Sequence, residues 1–83
     1  MNELLENIDK IQTTELGIIR IKKNLEIESE NVIKYCKNII KVSDKIIKKG
    51  KNWYVYKKNI ILTINASSYG IITAHKNKKY VNK

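Results

Sequence analysis

The chain has 83 residues and a formal net charge of +9, with 17 Lys and Arg against 8 Asp and Glu; this is one domain, too small to enclose a cofactor cavity, and no cofactor is expected. A single cysteine, Cys36, and a single histidine, His75, exclude an internal disulfide and a structural zinc site in a monomer. No apolar run approaches membrane-spanning length, and the start, Met1 to Glu6, lacks a signal peptide's basic and apolar regions, so a cytoplasmic location with no membrane partner is expected.

Leu4, Leu5, Ile8 and Ile11 follow helical spacing over residues 2–11. Thr13 and Thr14 offer a cap for a second helix, and Glu15 suits its positive end. Leu16, Ile18, Ile19, Ile21 and Leu25 are the expected apolar side of that helix, with Arg20, Lys22 and Lys23 in its last turns. Ser29, assisted by Glu28 and Glu30, is the expected cap of a third helix. Its buried stripe is Val32, Ile33, Cys36, Ile39 and Ile40, where Cys36 serves as a small buried hydrophobe. Lys34, Lys37 and Lys41 share one face of this helix; cations near a helix C-terminus complement its dipole and need no ligand.

The pattern changes after Ser43. Lys45–Lys49 reads as a short strand ending at Gly50, and Trp53–Tyr56, aromatic and β-branched, as a second. Lys57–Asn59 is the turn to a third strand, Ile60–Asn65. Ala66–Gly70 is the next turn, leading to a strand over Tyr69–His75, and residues 77–83 form a polar tail expected to fray. The expected fold class is α+β: two to three N-terminal helices packed on one face of a three- or four-stranded antiparallel sheet. Residues 1–44 form the helical half, 45–76 the cationic sheet and 77–83 the tail. Alternation in the last hairpin puts Leu62 and Ile64 on the helix-facing side with Ile72 and Ala74. Ile61, Thr63, Asn65, Ile71, Thr73 and His75 then share the other side. Whether Trp53 or Tyr54 joins the core depends on the turn register, which alternation alone leaves open.

Residues 1–44 hold all eight acids against seven bases, a net of −1, whereas residues 45–83 hold ten lysines and no acid. That asymmetry reads as the footprint of a polyanionic partner: a nucleic acid such as RNA, an acidic protein or a membrane surface. Lysine used for solubility and edge protection is the plainer account. The strongest candidate cluster is Lys48, Lys49, Lys51, Trp53 and Tyr54, followed by Lys57 and Lys58, because cations hold phosphates while rings stack on bases. A Trp and a Tyr at the start of a sheet also serve as core or rim residues. Arg20 and Lys76 complete the candidate binding set. The alternative is a metal-independent ribonuclease with His75 as general base toward a 2′-hydroxyl, assisted by Arg20, Tyr69 and Thr73. A half-exposed strand histidine is the preferred account of His75, since residues 45–83 offer no second His or carboxylate.

Several strings resemble the pattern of a small bacterial family of unknown function. They are Asn7-Ile8-Asp9-Lys10-Ile11, Thr13-Thr14-Glu15-Leu16-Gly17, Arg20-Ile21-Lys22 and Asn24-Leu25 in the helical half. Tyr35-Cys36-Lys37, Gly50-Lys51-Asn52-Trp53-Tyr54-Val55, Thr63-Ile64-Asn65 and Ile71-Ile72-Thr73-Ala74-His75-Lys76 follow. The resemblance covers most of residues 4–76. That family is similar in layout to small folds of the barnase–EndoU–colicin–RelE type, which implies an RNase or an inactive relative of one. The family pattern carries His where this chain has Gln12, and the resemblance therefore implies a binding protein rather than an enzyme. A basic domain with such a loss also resembles products of phages and mobile elements. It implies an inhibitor of anti-CRISPR type, acting on an RNA-guided nuclease or its guide RNA through a basic sheet face.

Overall fold

A computed structural model of the chain describes residues 3–28 and 30–76. The helical pattern at the start breaks in two: α1 spans Glu3–Glu6, and a single 3₁₀ turn spans Ile8–Lys10. The break falls at Asn7, whose side-chain amide donates to the Glu3 carbonyl at 3.0 Å and so competes with helix continuation. Leu4 and Ile11 still reach the core.

α2 spans Glu15–Leu25. Its cap is Thr14, whose hydroxyl accepts from the Gly17 N–H at 3.0 Å. Thr13 turns the other way and donates to the Ile71 carbonyl at 3.4 Å. Its Oγ1 lies where a Cβ on residue 17 would be, which is why this position is glycine. The Thr13–Gly17 string is thus a structural joint between α2 and the sheet. Only Ile21 and Leu25 of the expected apolar side are buried, with Ile18 half-buried; Leu16 and Ile19 are 56% and 61% exposed. α2 rests on the sheet by one narrow stripe, so apolar residues flanking the stripe stay in solvent.

α3 spans Val32–Lys41 and buries Val32, Cys36, Ile39 and Ile40. Its cap is Asn31, which accepts from the Lys34 N–H at 2.9 Å. The expected cap, Ser29, lies outside the described residues, as does the 77–83 tail.

Four antiparallel strands follow in the order of the chain: β1 (Lys45–Lys49), β2 (Asn52–Lys57), β3 (Ile60–Asn65) and β4 (Ile71–Lys76). β1 and β2 are joined by the two-residue turn Gly50-Lys51, with Gly50 at φ +64°, a left-handed conformation that glycine adopts without strain at the first position of a tight hairpin. That turn sets Lys49 opposite Asn52, and hence Lys48 opposite Trp53, Ile47 opposite Tyr54 and Lys45 opposite Tyr56. Trp53 and Val55 accordingly face the helices and are buried, while Tyr54 and Tyr56 face the other way.

The last hairpin departs from simple alternation. Thr63 pairs with Thr73 but Ile64 pairs with Ile71, so Ile72 is the extra residue of a β-bulge. Ile71, expected on the outer side, is therefore buried, and Ile72, expected in the core, is 50% exposed. The start of β4 also takes a partner from the helical half. The Gln12 N–H donates to the Tyr69 carbonyl at 3.1 Å, and the Gln12 carbonyl accepts from the Ile71 N–H at 2.8 Å. Gln12 so makes one parallel rung beside Gly70.

Leu62, Ile64, Ala74, Trp53 and Val55 close on Ile21, Leu25, Cys36 and Ile40 to form one core between a helix layer and a sheet. Among the described residues no element covers the opposite sheet face, and no helix is long and apolar enough to cross a membrane.

Candidate nucleic-acid interface

The uncovered face is ordered by the strand register. Across its middle run Ile47, Tyr54, Thr63 and Thr73; beside them run Lys45, Tyr56, Ile61 and His75; at the other side lie Lys49, Asn52 and Asn65. The β1–β2 part of this face is basic, aromatic and partly apolar. A groove of about 550 Å³ opens there, lined by Ile47, Lys49, Tyr54 and Tyr56. Lys45 Nζ stands 5.2 Å from the centroid of the Tyr56 ring, a cation–π distance. The hydroxyls of Tyr54 and Tyr56 have no hydrogen-bond partner among the described residues.

The expected binding residues separate into four places. Lys49 and Tyr54 lie on the uncovered face, and Lys51 is exposed in the turn at its edge. Lys48 is on the helix-facing side, its Nζ 5.8 Å from the Trp53 ring. Trp53 is 5% exposed, with a buried Nε1 that has no hydrogen-bond partner among the described residues. A ring so enclosed has no free face for a base, so the stacking role assigned to it does not fit its position. Lys76 also lies on the helix side, where it pairs with Glu26 at the end of α2 at 3.5 Å. Lys57 closes β2, and Lys58 sits in the β2–β3 turn, its N–H donating to the Asp44 carboxylate at 2.8 Å. Arg20 is exposed on α2, in the other layer.

The alternative catalytic set is dispersed. Thr73 and His75 are exposed neighbours on the uncovered face. Tyr69 is buried in the turn before β4, with Lys10 Nζ 5.6 Å from its ring. The length of β4 separates it from His75, on the order of 15–20 Å. Gln12 is occupied with structure, its side-chain amide donating to the Ser68 carbonyl at 3.0 Å. Among the described residues no three His, Cys, Asp or Glu side chains gather into a metal-binding group.

Sequence reasoning missed Lys45, Ile47 and Tyr56. The signal was present in Gly50-Lys51: a two-residue loop with glycine first sets the whole β1–β2 register, and with it the side chains that share a face. Neither the curated proteins nor the solved structures include a significant match to this chain. One family model matches residues 5–75, nearly the whole of the described chain. The protein belongs to the family described as Protein of unknown function (DUF3781).

Proposed function

We propose that the protein is a non-enzymatic binding module that holds single-stranded RNA on the uncovered face of its sheet. One observation carries this reading. A bare antiparallel sheet face joins Lys45 and Lys49 to two outward tyrosines, in a half of the chain, residues 45–83, that contains no acid. Cations spaced along a strand suit phosphates, and a bare sheet face admits unpaired bases that a duplex would keep stacked. In its narrower form the proposal is a cytoplasmic, mobile-element-encoded inhibitor of anti-CRISPR type, with the guide RNA of an RNA-guided nuclease as the polyanion. The small size and basic charge support that form.

The test is a titration of isotope-labelled protein with a uridine octamer, followed by NMR. Amide shifts should concentrate on β1, β2 and the Gly50-Lys51 turn. Shifts confined to α2 or α3 would contradict the reading, as would binding restricted to duplex RNA. The narrower form requires that the protein block DNA cleavage by a guide-loaded nuclease, and that Lys49→Ala weaken the block.

A further inference from the structure

We propose that the groove between β1 and β2 is a seat for one unpaired nucleobase, with the phosphates on either side of that base held by Lys45 and Lys49. The inference rests on the reading of the uncovered face as RNA-binding and names what sits in it.

The groove's size of about 550 Å³ is within the range of small-ligand sites. Ile47, which lines it, is 39% exposed and directly opposite Tyr54. Ile47 is the apolar residue on the outward side of the strand Lys45-Ile46-Ile47-Lys48-Lys49. On the uncovered face Ile47 is bracketed by Lys45 and Lys49, each two residues away and so about 7 Å along the strand. One flat apolar group with a negative charge on either side is the chemistry of a nucleotide inside a single strand.

The two tyrosines are not equivalent. Lys45 already stands against the Tyr56 ring at 5.2 Å, whereas among the described residues no cation is paired with the Tyr54 ring. Tyr54 is therefore the ring on which the base stacks, and Tyr56 forms the side wall. Stacking on a ring is tolerant of base identity, so the seat selects an unpaired base and not a particular letter.

The experiment compares a uridine octamer with octamers carrying one abasic ribose at each position in turn, by fluorescence anisotropy at fixed salt. A seated base predicts that at least one abasic position weakens binding about fivefold to a hundredfold. Tyr54→Ala should remove that dependence, Tyr56→Ala should reduce it less, and thermal melts verify that both variants are folded. The abasic scan uses the unaltered protein, so it holds even if a variant fails to fold. If every abasic octamer binds as well as the parent, the seat is overturned and phosphate binding by the face still stands. If the parent octamer does not bind at all, the reading beneath it fails as well. If a poly-glutamate chain binds as tightly as the octamer, the seat is overturned in favour of an acidic protein surface.

Discussion

Trp53 and Tyr54 are adjacent aromatic residues with opposite positions. Trp53 is 5% exposed within the core, whereas Tyr54 lines the groove. Trp53→Ala should cost about 3–5 kcal/mol, the usual range for emptying a large core site. A domain this small has a total stability on the order of 5 kcal/mol, so the variant should keep at most about 2 kcal/mol and unfold at much lower urea. Tyr54→Ala should stay within about 1 kcal/mol of the parent and lose RNA affinity instead. Equal stability losses in the two variants would contradict the register. Cys36 offers a second test at this scale. Burial pushes its thiol up from 9.0 to about 11, because a thiolate in the core is not hydrated. Below pH 9 both folded and unfolded chains keep the proton. Through the window up to about 11 the unfolded chain releases it first, so stability falls as pH rises, by about 2–3 kcal/mol in all. Cys36→Ala should lack this loss when the two chains' unfolding free energies are followed over that window. Parallel profiles would place Cys36 outside the core.

The elements show what was legible and what was not. β1 and β3 have the bounds that alternation and turn residues indicate, Lys45–Lys49 and Ile60–Asn65, because each is flanked by residues that end strands. The bulge at Ile72 was not legible, since one inserted residue leaves no local mark on the composition. The Gln12 rung was not either: a single residue paired with β4 has no period. Capping was legible at Thr14, where a hydroxyl precedes an acid and a helical stripe. At α3 the cap is Asn31, which the reading of the sequence passed over in favour of Ser29. The motifs that carry the family resemblance prove to be joints. Thr13–Gly17 ties α2 to β4, and Gly50–Val55 is a turn with its strand. The turn makes a prediction of its own. Gly50 has φ +64° and nothing within 4 Å of a Cβ built there, so Gly50→Ala meets no clash and suffers only backbone strain. The cost should be about 1 kcal/mol in chemical denaturation. A neutral or stabilising change would mean that the turn adopts another conformation.

For the whole molecule, charge and architecture divide the chain at the same place. The helical half is nearly neutral and covers one side of the sheet; the sheet half is wholly cationic, and among the described residues no element covers its other side. Charge alone did not identify the face, because Lys48 and Lys76 point to the helix side while Lys45 and Lys49 point outward. Place and not number is therefore the central claim. It is tested most directly by the salt dependence of uridine-octamer binding in two triple variants that remove the same charge. Each phosphate contact on a single strand contributes about −0.7 to the log–log slope. Lys45→Ala, Lys49→Ala and Lys51→Ala together should flatten the slope by about 2, while Lys34→Ala, Lys37→Ala and Lys41→Ala on α3 should leave it unchanged. Equal flattening by both triples would contradict the account, since RNA would then respond to net charge and not to the uncovered face.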